Sequence, residues 1–87
     1  MEYRVEIRRA AQKQSLALPR EAQVAVALMI DNLATAQRPA GCRKLRESGL
    51  WRVRNGRYGV VYSIDDANRA VTVVKVALRQ EDTYKEP

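Results

Sequence analysis

Asn55-Gly56 stands between two runs in which apolar and polar residues alternate, Leu50 to Arg54 and Arg57 to Ile64. Alternation with a period of two marks a half-buried strand, and Asn-Gly tolerates positive φ at both central positions of a tight turn. The segment therefore predicts a β-hairpin closed by a two-residue type I′ turn. That placement sets the register: Arg54 opposite Arg57, Val53 opposite Tyr58, Arg52 opposite Gly59 and Trp51 opposite Val60. Trp51, Val53, Tyr58, Val60, Tyr62 and Ile64 then share a core face, while Arg52, Arg54, Arg57 and Gly59 share the other. Opposing Arg54 to Arg57 sets like charges together, a cost that an anionic ligand would relieve.

The flanking sequence supplies the remaining elements. Residues 2 to 8 alternate, with Tyr3, Val5 and Ile7 on one side and charged groups on the other, which predicts a first strand. Arg9 to Leu18 has a helical composition, and Pro19 ends it. A longer helix is expected from Pro19 or Arg20 to about Ala36, with Ala22, Ala25, Val26, Met29, Ile30 and Leu33 on its buried side. Val24 and Leu28 lie on its opposite flank; they could pack on the first helix, the favoured reading, or remain exposed for another protein. Gln37 to Ser48 reads as a connecting loop, Asp65 to Arg69 as a second turn, and valine-rich Ala70 to Leu78 as a last strand. In that strand Thr72, Val74, Val76 and Leu78 alternate with Val71, Val73, Lys75, Ala77 and Arg79. The expected fold is α+β, in the order β-α-α-β-β-β: two N-terminal helices on one face of a mostly antiparallel four-stranded sheet. The 87 residues make a single domain, 1–87.

Composition excludes several functions. Ala22 to Ile30, the longest weakly polar stretch, is half of what a bilayer needs, so no membrane span is expected. Met1-Glu2-Tyr3-Arg4 lacks the apolar core of a secretion signal, and a cytoplasmic protein is expected. Cys42 is the single cysteine and histidine is absent, so neither a metal site nor a cofactor is expected. Arg43 and Lys44 beside Cys42 would favour a thiolate, but with no histidine base a buried or idle cysteine is the better reading.

Charge is concentrated. The chain carries a net +6, and residues 38–57 alone hold seven basic residues and one acid, for the same balance of +6. Arg38, Arg43, Lys44, Arg46, Arg52, Arg54 and Arg57 thus form an electrostatic footprint in one loop and one hairpin, which Lys75 and Arg79 can join. A polyanionic partner is implied, whether nucleic acid, acidic protein or anionic membrane. Gly59 leaves room among the arginines for a substrate backbone, although a sheet bulge explains the glycine equally well.

Without histidine no Ser-His or Cys-His pair can be built, and Asp65-Asp66 reads as turn chemistry. Guanidinium groups, a lysine and Tyr84 suit phosphate chemistry, because cations stabilise the charge of a phosphorane-like transition state. A ribonuclease that uses the substrate's own 2′-hydroxyl as nucleophile needs orientation and charge from the protein rather than a nucleophile or a metal. Guanidinium is a poor general base at its usual pKa.

Lys44-Leu45 followed by Gly49-Leu50-Trp51-Arg52-Val53-Arg54-Asn55-Gly56-Arg57-Tyr58-Gly59-Val60-Val61-Tyr62-Ser63-Ile64-Asp65-Asp66 resembles the core signature of RelE-type toxins in the RelE/ParE superfamily. Tyr3-Arg4-Val5, the alanine-rich helical pair, Pro39 with Gly41, and the ending Arg79 to Tyr84 fall in the family's order, so the resemblance spans the chain. It implies the toxin of a type II toxin-antitoxin system, an mRNA interferase that cleaves mRNA in the ribosomal A site. The implied partners are the ribosome, mRNA and a cognate antitoxin, a short acidic or amphipathic segment wrapping the helices, with Val24 and Leu28 as candidate contacts. By the same resemblance Arg52 and Arg54 hold and polarise the mRNA phosphate, Arg79 stabilises the transition state, and Tyr84 stacks on or exchanges a proton with the substrate. Arg43, Lys44, Arg46, Arg57 and Lys75 complete the expected RNA and ribosome surface. The pattern departs at Gly59, where the family usually has arginine, and at Leu78, where related toxins often have histidine. The alternative is a toxin-fold protein without nuclease activity, either a ParE-like gyrase inhibitor or a degenerate antitoxin-binding module.

Overall fold

The computed structural model describes residues 2–78. The alternation of Tyr3, Val5 and Ile7 with charged neighbours produces strand β1 (Arg4–Ile7), whose apolar side chains pack against the core. Helix α1 (Arg9–Leu16) stops ahead of Pro19, which caps helix α2 (Arg20–Asn32) with φ −57°. Gln23 on the first turn of α2 donates to the carbonyls of Leu16 (3.2 Å) and Leu18 (2.8 Å), groups that the end of α1 leaves free. The expected helical stripe is the buried one: Ala22, Val26, Ile30 and Leu33 enter the core.

Four further strands follow: β2 (Arg43–Lys44), β3 (Trp51–Asn55), β4 (Tyr58–Asp65) and β5 (Ala70–Leu78). The sheet order is β1-β5-β4-β3-β2, with β1 parallel to β5 and every other pairing antiparallel. The α+β class is as expected, with five strands rather than four. The addition is β2, within the segment expected to be a loop; two residues are too few for periodicity to register. It is closed onto β3 by the Leu45 amide donating to the Leu50 carbonyl at 2.7 Å. Both helices lie on one face, where Ala11, Val26, Ile30 and Leu33 meet Val53, Val60, Tyr62, Val71, Val73 and Val76 in one buried cluster.

Two registers differ from expectation. The hairpin turns at Gly56-Arg57, so Asn55 pairs with Tyr58, Arg54 with Gly59, Val53 with Val60, Arg52 with Val61 and Trp51 with Tyr62. Gly56 has φ +64° and neither Asn55 nor Arg57 has a positive φ, the pattern of a type II′ turn, which asks for a left-handed residue only at its first position. The slide also removes the expected Arg54–Arg57 opposition. Because each pairing moves by two residues, the faces are preserved.

The second difference lies in β5. Val61 pairs with Lys75 and Tyr62 with Val73, leaving Val74 as the extra residue of a bulge. Strict alternation would put Val71, Val73 and Lys75 on one face; the bulge instead lets Val71, Val73 and then Val76 be buried while Lys75 is exposed. Beyond Val73 the β1 ladder ends, and Gln14 of α1 accepts the Val76 amide at 2.8 Å.

Candidate functional site

The sheet face opposite the helices collects the cations. Val53 points into the core, so its strand neighbours Arg52 and Arg54 project the other way. Arg43 on β2 pairs directly with Arg52, Arg52 with Val61, and Val61 with Lys75, which makes one cross-strand row Arg43–Arg52–Val61–Lys75. The next row is Arg54–Gly59–Ala77, with no large side chain beside Arg54. Arg43, Arg54 and Lys75 are exposed and Arg52 is half-buried. Among the described residues the ion pairs are Arg4–Glu6 and Arg38–Asp66, so no carboxylate neutralises this row. The like-charge opposition expected at Arg54–Arg57 is found instead at Arg43–Arg52, the consequence of β2 being a strand.

A Cβ built on Gly59 would meet Arg54 Cγ at 3.8 Å and the Val53 carbonyl at 4.0 Å, ordinary contact distances. The glycine is therefore required neither by the backbone nor by crowding, and it leaves an open position beside Arg54.

Other expected site residues are dispersed. Arg57 is exposed in the hairpin turn and Arg46 in the turn after β2, both beyond the strand rows. Lys44 pairs with Trp51 and so faces the helix side, its ammonium 5.9 Å from the Trp51 ring centroid. Arg79 and Tyr84 lie outside the described residues. Val24 and Leu28 are 57% and 65% exposed, which overturns the favoured packing against α1: that helix spends its apolar surface on β5 instead. Leu16, 73% exposed, belongs with them but carried no periodic signal in so short a helix. It lines an apolar groove of about 300 Å³ between the helices with Ile7, Ala27 and Ile30.

Sequence reasoning also passed over a polar chain on the helix side. Asp66 accepts from the Tyr3 hydroxyl at 2.6 Å and from Arg38 at 2.9 Å. Those two hydrogen bonds, Arg38's first, hold the Asp66 carboxyl below its ordinary pKa, and the bond to Asp66 raises the Tyr3 phenol. Arg38 also lies over Trp51, 5.1 Å from the ring centroid. Buried Tyr62 donates to the Gln37 carbonyl at 2.8 Å, and burial, with Cys42 adjacent, pushes its pKa up to about 12. No local pattern announces contacts between residues 3, 38 and 66. Asp65 instead takes the expected turn role, accepting from the Asn68 amide and side chain. No cluster of three potential metal ligands occurs among the described residues, and no described helix is long and apolar enough to cross a membrane.

The ParE toxin family of type II toxin-antitoxin systems (parDE) matches residues 5–83. The chain belongs to this family. Its structure is similar to that of the toxin-antitoxin complex RelBE2 from Mycobacterium tuberculosis, with TM-score 0.81 and 26% identity over 91% of this chain and 100% of that one. The archaeal RelE-RelB complex from Pyrococcus horikoshii matches with TM-score 0.79 and 28% identity, covering 93% of this chain and 99% of the other. The isolated E. coli RelE toxin shares the fold, with TM-score 0.77 at 18% identity over 95% of this chain and 92% of that chain. No curated protein sequence matches the chain. The protein is thus a type II toxin of the RelE/ParE superfamily, and its relatives' complexes support a cognate antitoxin as its partner.

Proposed function

We propose that this toxin is a ribosome-dependent mRNA endonuclease that acts in the cytoplasm by attack of the substrate's 2′-hydroxyl on the adjacent phosphate. The observation that carries the reading is the row of Arg43, Arg52 and Lys75 with Arg54 beside it, which no carboxylate among the described residues neutralises, on a face that no other described element covers. Guanidinium groups in fork geometry suit a phosphate and the charge it gains as the 2′-oxygen bonds to phosphorus and the 5′-oxygen leaves. Arg52 and Arg54 bind and polarise that phosphate. Arg43 and Lys75 hold its neighbours, and Lys44, Arg46 and Arg57 extend the ribosomal contact. Arg79 and Tyr84 are assigned to the transition state and to proton exchange.

The cognate antitoxin is assigned to the opposite layer. Val24, Leu28 and Leu16 are large apolar side chains left in water, a surface that suits the apolar face of an amphipathic segment.

Primer extension on mRNA in a purified translation system with an open A site tests the activity. Discrete cuts in the A-site codon, lost in Arg52→Ala and Arg54→Ala proteins of unchanged unfolding temperature, are expected. Cutting at the wild-type rate by the double variant would refute the assignment. A second reading, inhibition of DNA gyrase, is favoured by the ParE family match and by Gly59 standing where an arginine is expected. It predicts loss of gyrase supercoiling with uncut message.

A further inference from the structure

Strand β2 is a two-residue edge with both side chains exposed, and it sets Arg43 directly against Arg52. Directly opposed like charges destabilise a strand pair, and so short an edge has little burial to offset them. Something else must hold it. Beyond the backbone pairing with β3, the side-chain contacts around it lie on the helix side, away from the cationic face. Lys44 is drawn over the Trp51 ring at 5.9 Å and Arg38 over the same ring at 5.1 Å. Arg38 is itself anchored to Asp66, which also accepts from Tyr3, just ahead of β1 at the opposite edge of the sheet. The Tyr62 hydroxyl clamps the Gln37 carbonyl just ahead of Arg38, and Trp51 is half-buried against the core. The approach to β2 is thus tied to β1, to β4 and its following turn, and to β3.

We propose that Trp51, backed by the Tyr3–Asp66–Arg38 chain, is a positioning device for the anion site: it fixes the β2 edge so that Arg43 stays beside Arg52 and holds the phosphate next to the one that Arg52 and Arg54 bind. None of Trp51, Asp66 or Tyr3 touches the substrate. Arg38, neutralised by Asp66 and turned to the helix side, supplies no charge to the cationic face. The device acts through Arg43 alone, which makes its effect separable from that of a binding residue. Phosphate affinity rests on the reading proposed above; the geometry of β2 does not.

Two measurements test it on the full chain. Hydrogen exchange at the Leu45 amide, which bonds to the Leu50 carbonyl, reports the β2 closure directly. Asp66→Asn and Trp51→Leu should speed exchange there without changing it in β4 and β5, and Trp51→Phe, which keeps an aromatic face, should restore protection. Unchanged exchange at Leu45 overturns the proposal whether or not RNA binds. The second measurement is the affinity for a short single-stranded RNA made uncleavable by 2′-O-methylation. Asp66→Asn should weaken binding roughly tenfold, the scale of one charged hydrogen-bonding partner lost. In an Arg43→Ala background the same substitution should have no further effect. Equal losses in both backgrounds would overturn the positioning role. Failure of the wild-type protein to bind this RNA at all would count against the nuclease reading instead, and the exchange data would still decide the role of Trp51.

Discussion

Gly59→Arg is the most discriminating substitution, because the structure allows both its cost and its gain to be worked out. The added Cβ meets Arg54 Cγ at 3.8 Å and the Val53 carbonyl at 4.0 Å, so no atom has to move, and the backbone φ is not in the left-handed region. Replacing a strand glycine recovers roughly 0.5–1 kcal/mol of backbone entropy. The new guanidinium faces Arg54 across the hairpin, and two unit charges about 8 Å apart in water repel by about 0.5 kcal/mol. The terms nearly cancel, so the unfolding temperature should stay within about 4 °C of wild type, the shift that roughly 0.5 kcal/mol produces in a domain of this size. Activity should not stay level. The side chain enters the open position between Arg54 and Ala77, on the cationic face. Donors aimed at developing charge are worth about 2.7–4 kcal/mol, so cleavage should rise by a factor on the order of a hundred. The assay is single-turnover cleavage of A-site mRNA on programmed ribosomes, alongside thermal unfolding of both proteins. A folded variant that cuts no faster would show that this face does not hold the scissile phosphate.

Other perturbations probe separate parts of the molecule. Val24→Glu with Leu28→Glu, both on exposed helix positions, should abolish co-purification with the co-expressed antitoxin while leaving unfolding temperature and mRNA cleavage unchanged; retained capture would move the antitoxin site elsewhere. Tyr62→Phe removes the hydrogen bond to the Gln37 carbonyl in a buried setting and should cost roughly 1–2 kcal/mol, read as a lower urea midpoint with an unchanged slope. Asp66 has a folded-state pKa below its unfolded value, so its contribution is present above the ordinary aspartate range and is lost as pH falls through the lowered value. Unfolding temperature measured from pH 7 to pH 2 should therefore fall less for Asp66→Asn than for wild type, and parallel curves would deny that linkage.

Much of this molecule is readable from its residues because the relevant signals are local and periodic. Alternation along Trp51 to Ile64 divides apolar from cationic side chains, and the division survives even though the turn sits one residue later than Asn-Gly suggests: a shift of two in the pairing leaves every side chain on its face. The stripe Ala22, Val26, Ile30 and Leu33 likewise declares the buried side of α2. What the residues do not reveal is how unlike segments come together. Arg43 becomes part of the cationic row only because residues 43–44 close onto β3, a pairing too short to leave a pattern. Lys75 is free to join it because Val74 bulges, which reverses the alternation halfway along β5. Val24 and Leu28 stay exposed because α1 packs on β5 rather than beside them.

Periodicity thus determined which side of β1, β3 and β4 meets water and which stripe of α2 is buried, since burial is a property of one segment facing one core. The tertiary structure alone decided which cations are neighbours and what braces them. Tyr3, Arg38 and Asp66 meet only when the ends of the sheet and the segment after α2 have closed around the same core. Contacts across such separations follow from the summed geometry of packing, and no short stretch of chain encodes them.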